Sequence, residues 1–263
     1  MAQTNVAAQT YTVRKFTKTP ADIAASMKKI AETGYRAVQL SGLGPIETAE
    51  LKKILDGEGL TACATHIEYE QMRDNPQAVI DEHRLLDCKY VAISSMPKEY
   101  CTAEGFVRFA REASEAAAKL AEGGLTFCYH NHSPEFEKFG GRTGFEILYT
   151  ESDPKYFKAE PDTYWIQYGG ADPARWIQWL SKGKRAPLIH LKDMAVSGFE
   201  QKFAEVGEGN LNWPAIFKAC KSAGAVWYIV EQDVCKRDPF ESLAISLKNL
   251  KAMQAAGMPG IRA

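Results

Sequence analysis

The stretch Leu125-Thr-Phe-Cys-Tyr-His-Asn-His-Ser-Pro-Glu-Phe136 decides how the rest of the sequence is interpreted. It follows Gly123-Gly124, which ends a long helical pattern, and it changes from apolar to polar along its length. If the stretch begins as a strand, Cys128, His130 and His132 share one face, because side chains alternate between the two faces of a strand. Two imidazoles at the polar end of a buried strand indicate the mouth of a metal or substrate site. The alternative is a pair of structural histidines with satisfied hydrogen bonds.

Outside this stretch, short apolar runs alternate with segments of helical periodicity about eight times. Helix starts are marked by a capping residue followed by proline, as at Thr19-Pro20, Asn75-Pro76, Asp172-Pro173 and Asp238-Pro239. The predicted strands are residues 5–11, 36–40, 60–67, 90–94, 125–132, 156–160, 187–192 and 226–232. This pattern predicts the α/β class and a single (β/α)8 TIM-barrel domain over residues 1–263. No glycine-rich phosphate loop follows the first strand, which weakens the alternative of an open nucleotide-binding sheet.

The composition excludes several classes of partner. The chain has 32 basic and 33 acidic residues and a net charge of −1, so nothing favours nucleic acid. No apolar run approaches the roughly 20 residues of a membrane span. The first nine residues lack the features of a secretion signal, and the six cysteines are scattered without a CxxC pair. We therefore expect a cytoplasmic protein with reduced cysteines.

In a barrel of this kind the active site lies at the carboxyl ends of the strands. Strand ends carry four of the five histidines and several acidic residues, and His83, in a helix, is expected to be a surface or packing residue. One set drawn from four successive strands could converge on a single cation, namely His130, Asp162, His190 and Glu231. Its mixed nitrogen and oxygen donors suit Mn²⁺, Co²⁺, Zn²⁺ or Fe²⁺ better than Ca²⁺. The alternative is a polar barrel mouth whose acid and base groups hold no metal.

Several of these segments carry a family resemblance. The chain resembles the sugar phosphate isomerase/epimerase superfamily, the xylose isomerase-like TIM barrels that also include endonuclease IV. The matching segments are Tyr129–Phe136, Glu160–Asp162 with Gly169–Pro173, Leu188–Met194, Gly207–Gly209 before Asn212-Trp213, and Tyr228–Asp233. They cover the second half of the chain densely and the first half only by its pattern.

The resemblance implies one divalent cation, Mn, Co, Zn or Mg, held by residues of strands five to eight. Asp162, His190 and Glu231 match three of the ligands, and His130 stands where the family usually has glutamate. In the epimerases of this family, two glutamates exchange a proton with carbons next to a carbonyl while the metal polarises the oxygens. His130 keeps a ligand but removes the symmetric pair. Glu135 and Glu160 are the candidates for the missing carboxylate.

We expect a metal-dependent sugar isomerase or epimerase that abstracts a proton next to the carbonyl of a sugar or keto-sugar. The alternative is a metal-dependent lyase, dehydratase or hydrolase of 3-keto-sugars or their glycosides. A DNA-repair endonuclease is disfavoured by the charge, and a non-catalytic sugar-binding barrel by the intact ligand set. The predicted catalytic residues are Glu231, His130 and Glu160, and the predicted substrate contacts are His66, His132, Lys192, Glu208 and Trp165.

Two of these assignments have structural alternatives. Lys192 could instead form a surface salt bridge with Asp193, and Glu208, in a Gly-Glu-Gly loop, could merely turn the chain. The expected partner is a small, unphosphorylated sugar, with no nucleic acid and no membrane. Exposed aromatic residues around the barrel would fit a homodimer.

Overall fold

The computed structural model describes residues 4–263, and Met1, Ala2 and Gln3, which belong to the predicted domain and to the segment interpreted as lacking a signal, lie outside it. Its central sheet has eight parallel strands, which are β1 (Val6–Gln9), β2 (Ala37–Leu40), β3 (Thr61–Ile67), β4 (Tyr90–Ile93), β5 (Thr126–His130), β6 (Phe157–Glu160), β7 (Leu188–Leu191) and β8 (Trp227–Val230). They are hydrogen-bonded in the order β6-β5-β4-β3-β2-β1-β8-β7.

The two strands at the ends of this order, β6 and β7, meet just beyond β6. An isolated parallel bridge joins Asp162 to His190, and the amide of His190 donates to the carbonyl of Pro161 at 3.0 Å. The sheet therefore closes into a barrel, and the predicted (β/α)8 fold is confirmed. The closure also places Asp162 beside His190.

Ten α-helices surround the barrel in the described part of the chain. They are α1 (Pro20–Thr33), α2 (Thr48–Gly57), α3 (Tyr69–Asp74), α4 (Pro76–Leu86), α5 (Ala103–Glu122), α6 (Gly144–Glu151), α7 (Thr163–Tyr168), α8 (Pro173–Trp179), α9 (Trp213–Ala223) and α10 (Pro239–Ala255). The predicted caps Thr19, Asp172 and Asp238 accept hydrogen bonds from first-turn amides, whereas the Asn75 side chain makes no capping bond. Proline still begins α4, because its fixed φ suits the first turn.

Several elements differ from the sequence prediction. The first strand ends at Gln9 because a 3₁₀ segment, Thr10–Phe16, follows it directly. Helices α3 and α7 were not predicted, and neither were two antiparallel hairpins. One pairs Lys138–Phe139 with Arg142–Thr143, and the other pairs Asp193–Ser197 with Glu200–Ala204. All of these lie in connections at the carboxyl ends of strands.

The barrel interior is filled in two layers that differ in polarity. The layer nearer the strand starts is small and apolar and is formed by Ala7, Ala37, Cys63, Ala64, Ala92, Cys128, Leu188 and Ile229. Side chains alternate between the two faces of a strand, so an inward residue recurs two positions further along. In seven strands the residue two positions after a member of this apolar layer is polar, and Glu160 of β6 lies at the same level. This polar ring consists of Gln9, Gln39, His66, Ser94, His130, Glu160, His190 and Glu231. The apolar layer closes the barrel below the ring, which leaves the ring facing the mouth.

Candidate metal centre at the barrel mouth

Four members of the predicted ligand set come together in the structure. His130, Asp162, His190 and Glu231 are all buried and each offers a ligand atom within 4.8 Å of the other three. Strand register accounts for the convergence, since Ile229 pairs with His190 in β7 and Asp162 bridges to His190 from the other side. The sequence prediction grouped the same four residues from the order of the strands and the alternation of side chains along them.

The spacing of the donor atoms suits a single transition-metal ion. Asp162 Oδ2 lies 3.2 Å from His130 Nε2 and 3.7 Å from His190 Nδ1, which is 2.9 Å from Glu231 Oε2. Ligands bound at about 2.0–2.1 Å in a tetrahedron stand roughly 3.3 Å apart. The distances observed here bracket that value, so these residues fit a divalent cation.

The other nitrogen of each histidine is held by a hydrogen bond. His130 Nδ1 donates to the carbonyl of Ser94 at 3.0 Å, and His190 Nε2 donates to Gln39 Oε1 at 2.6 Å. A ring nitrogen fixed in this way leaves the opposite nitrogen directed at the centre of the cluster. This is the arrangement expected of imidazoles that bind a metal.

The ammonium group of Lys192 lies directly against the candidate centre. Its Nζ is 3.0 Å from Asp162 Oδ2, 2.8 Å from Glu231 Oε2 and 2.8 Å from Asp233 Oδ2, and the side chain is 1% exposed. The proposed alternative of a surface salt bridge to Asp193 is therefore wrong. The reason is the alternation of strand β7, which turns Lys192 to the same side as His190 and Asp193 away from it.

The buried charges of the site shift the ionisation of its members. Burial opposes charge on His190, but the carboxylates of Glu160 and Glu231 outweigh it and raise the pKa of His190 to about 10. Burial also opposes charge on Asp162 and Glu231, yet Lys192 and the neighbouring histidines lower the pKa of both carboxyls. The two carboxylates therefore favour a proton on His190, and a metal that binds at Nδ1 must displace a proton from that nitrogen.

A second hydrogen-bonded cluster lies beside the first and shares His190 with it. Glu160 is fully buried, and its Oε2 accepts from His66 Nε2 at 2.7 Å while its Oε1 accepts from Gln39 Nε2 at 2.7 Å. The ring of His66 stacks on that of His190 with an interplanar angle of 16°. Both oxygens of Glu160 are thus occupied by protein donors.

A cavity of about 370 Å³ opens above the centre. Its wall includes six residues at or beyond strand ends, His66, His130, His132, Lys192, Glu231 and Asp233. Burial, together with His130 and Lys192, lowers the pKa of His132 to about 3, so this imidazole is neutral. The ring of Trp165 packs 5.1 Å from that of His132, at the edge of the same region.

Two acidic residues considered from the sequence lie away from this cavity. Glu208 is exposed, and its Oε1 accepts from Asn249 of the outer helix α10 at 2.8 Å. Glu135 accepts from the Tyr129 hydroxyl at 2.5 Å and from the His132 amide at 3.0 Å, on the helix-facing side of β5. Glu160, which joins the site histidines, is therefore the nearer of the two carboxylates considered for the strand-five position.

The sequence analysis missed four polar residues that belong to the site. These are Gln9, Gln39, Ser94 and Asp233, none of which was assigned a role from the sequence. A signal existed for the two glutamines, since each stands two positions after an inward alanine of β1 or β2. Gln9 and Gln39 were not predicted because amide side chains are uncommon metal ligands and so do not belong to the pattern that indicates a metal site.

Comparison with known families identifies the class to which this fold and site belong. Residues 27–253 match the sequence profile of the xylose isomerase-like TIM barrel family. The chain belongs to this family. No match was found among curated proteins.

Solved structures show the same fold. A sugar phosphate isomerase/epimerase from Parabacteroides distasonis ATCC 8503 is 24% identical, with a TM-score of 0.79 over 96% of this chain and 95% of that one. A second from the same organism is 22% identical, with a TM-score of 0.80 over 99% and 100%. An L-ribulose 3-epimerase is 13% identical, with a TM-score of 0.69 over 99% of each chain. At these identities the likeness concerns the fold.

Among residues 4–263, no helix is both long and apolar enough to cross a bilayer.

Proposed function

We propose that this protein is a divalent-metal-dependent enzyme that abstracts a proton next to the carbonyl of a sugar or keto-sugar, as a sugar isomerase or epimerase does. The observation that carries the proposal is the convergence of His130, Asp162, His190 and Glu231 beside a cavity whose wall includes two of them, His130 and Glu231. Membership of the xylose isomerase-like family supports the same class of chemistry.

His130 Nε2, Asp162 Oδ2, His190 Nδ1 and Glu231 Oε2 would hold the cation. Mn²⁺, Co²⁺, Zn²⁺ and Mg²⁺ are the candidates, and the two imidazoles favour the first three. When bound, such an ion polarises the oxygens of the substrate and so acidifies the adjacent C–H bond.

Glu231 is the proposed base. Its Oε2 contacts Lys192 and His190, whereas its Oε1 accepts no hydrogen bond from the described residues. That oxygen is free to take a proton from a carbon in the cavity. Lys192, also in the cavity wall, would donate to a substrate oxygen and hold the carbonyl near Glu231.

The remaining predicted residues receive roles from their positions. His66 and His132 line the cavity and would contact hydroxyl groups, and Trp165 would offer a face to the sugar ring from beside His132. Glu160 would act through His66 rather than on the substrate, because both of its oxygens accept from protein groups. We assign Glu208 no contact, since its carboxylate binds Asn249.

A specific observation favours a second candidate, a lyase or hydrolase of keto-sugars or their glycosides. An epimerase needs a proton donor on each face of one carbon, and here His130 replaces the second glutamate that the family resemblance would supply. A single carboxylate base, with the neutral imidazole of His132 nearby, suits removal of one proton and departure of a neighbouring group. The two candidates share the first step and differ in what leaves.

Solvent exchange tests the shared step. Metal-loaded protein is incubated with a panel of ketoses and 3-keto-glycosides in D₂O, and deuterium incorporation next to the carbonyl is followed by NMR. We expect exchange with at least one member, loss of about 10²–10⁴-fold in Glu231→Gln, and no change in the exposed control Glu208→Gln. Formation of a new epimer identifies the protein as an isomerase or epimerase. Release of a group from the substrate identifies it as a lyase or hydrolase. Exchange that persists in Glu231→Gln contradicts the assigned base.

The assignment of one domain to residues 1–263, the cytoplasmic location and the homodimer stay predictions. The proposed partner is a small sugar.

A further inference from the structure

The amide of Gln39 lies between the two histidine clusters of the site. Its Oε1 is 2.6 Å from His190 Nε2, and its Nε2 is 2.7 Å from Glu160 Oε1. Gln9 Nε2 lies 2.7 Å from the same Oε1. Gln39 and Gln9 are both fully buried, and neither side chain reaches the cavity wall. Burying an amide is costly unless its groups form hydrogen bonds, so we expect both ends of the Gln39 amide to be paired with these neighbours.

The chemistry of the partners fixes the direction of every bond. A carboxylate only accepts, so the end of Gln39 that faces Glu160 must be the NH₂ group. The end that faces His190 is therefore the carbonyl, which also only accepts. His190 must then carry a proton on Nε2, and Nδ1 is the nitrogen left toward Asp162 and Glu231.

The same amide acts on His66 through Glu160. Because Gln39 donates to Oε1 of Glu160, the carboxylate is held with Oε2 toward His66 Nε2. His66 then carries its proton on Nε2 in this bond. Its Nδ1 makes no hydrogen bond within residues 4–263, and the ring forms part of the cavity wall.

We propose that Gln39 is the positioning residue of the site, holding His190 with Nδ1 toward the cation and His66 with Nδ1 toward the substrate. The roles of the two imidazoles toward cation and substrate rest on the proposed function. The protons on Nε2 of His190 and His66 do not, because they follow from hydrogen bonds within the protein itself. Gln39 touches neither cation nor substrate. It acts through the two imidazoles, and Gln9, its register partner on the neighbouring strand, donates to its Oε1.

Two variants separate this role from simple packing. Gln39→Met keeps the length of the side chain and removes all three of its hydrogen bonds, whereas Gln39→Glu keeps an acceptor for His190. Gln232→Met is the matched control, because Gln232 is also buried at this end of the barrel and its amide nitrogen donates to the Val234 carbonyl, away from the histidines.

The first readout is ¹⁵N NMR of histidine-labelled protein without metal, with signals assigned from His66→Gln and His190→Gln. Wild type and Gln232→Met should show hydrogen-bonded Nε2 protons on both histidines. In Gln39→Met the His190 proton should exchange faster with water, because Nε2 keeps only the more distant Glu160 Oε1, at 3.3 Å, as an acceptor, and Gln39→Glu should restore its protection.

The second readout is Zn²⁺ affinity by competition with a chromophoric chelator. Gln39→Met should bind about 10–100-fold more weakly than wild type, with Gln39→Glu between the two. Retention of the protected His190 proton and of wild-type affinity in Gln39→Met would overturn the inference. If that variant does not fold, a Gln39→Glu protein without a protected His190 proton overturns it instead. If wild type binds no metal, the proposed function is wrong. The role of Gln39 is then still tested by the protection of the His190 proton in the NMR experiment.

Discussion

Lys192 Nζ lies 2.8 Å from Glu231 Oε2, the same oxygen that lies 2.9 Å from His190 Nδ1. One carboxylate oxygen thus stands between two buried cationic groups. Asp162 Oδ2 is likewise 3.0 Å from Lys192. In the protein without metal, Lys192 supplies part of the positive charge that these carboxylates require. An ion entering the site must share them with it.

Removal of this ammonium group should change both stability and metal response. Lys192→Met leaves the buried Asp162 and Glu231 and the half-buried Asp233 with less positive charge, so we expect the metal-free variant to lose about 3–5 kcal/mol of unfolding free energy. Added Zn²⁺ should stabilise the variant more than wild type. Urea unfolding with and without Zn²⁺ measures both effects.

Lys202→Met serves as a control, since Lys202 pairs with Glu200 on an exposed hairpin and should change stability by about 0–1 kcal/mol. Equal responses of the Lys192 variant and wild type to Zn²⁺ would show that this ammonium does not share the carboxylates with the ion.

Asp193 is expected to organise the loop that follows the hairpin. Its carboxylate accepts from the amides of Gly207, Gly209 and Leu211 and from Trp213 Nε1, at 2.7–3.2 Å. Asp193→Asn removes the charge and part of this acceptor capacity, so it should cost about 1.5–3 kcal/mol. Hydrogen-exchange mass spectrometry should show faster exchange over residues 205–213, with Glu208→Gln unchanged there. Equal exchange rates over residues 205–213 in Asp193→Asn and Glu208→Gln would contradict this role.

His83 should make the fold sensitive to acid, independently of the site. It is 1% exposed, Nδ1 donates to the Val79 carbonyl, and Nε2 accepts from the Thr65 hydroxyl. Burial lowers the pKa of His83 in the folded state. The unfolded chain therefore binds more protons, so this contribution is complete above the unfolded pKa of about 6.5 and is lost as pH falls below it.

His83→Gln removes this titration, so the difference in unfolding free energy between wild type and variant should shrink from pH 8 to pH 5. Urea unfolding at each pH checks it, and the comparison cancels the contributions of the other histidines. A difference that stays constant with pH would be inconsistent with a neutral buried His83.

The barrel and four of its site residues could be predicted because both follow from local periodicity. Alternation of two fixes the inward face of each strand, so His190 and Glu231 could be placed together once eight strands were counted. Gln39 could not be assigned a role in this way. Its function depends on which groups face it across the barrel, and these come from β1, β6 and β7.

Loop residues were the least predictable for a different reason. The path of the chain after β7 is set by Asp193, whose hydrogen bonds reach residues 14 to 20 positions away. No local pattern records such bonds, so the exposed position of Glu208 did not follow from its Gly-Glu-Gly setting. The hairpin that pairs Asp193–Ser197 with Glu200–Ala204 was likewise not predicted.

The metal content of the purified protein tests the central claim most directly. Four proteins are compared, namely wild type, His190→Ala, Glu231→Ala and the exposed control Glu208→Ala. Each is dialysed with Mn²⁺, Co²⁺ or Zn²⁺, unbound ions are removed, and the bound metal is measured by inductively coupled plasma mass spectrometry. We expect about one transition-metal ion per chain in wild type and control, and loss of it in the two site variants. A well-folded wild type that retains none of the three ions would contradict the metal centre.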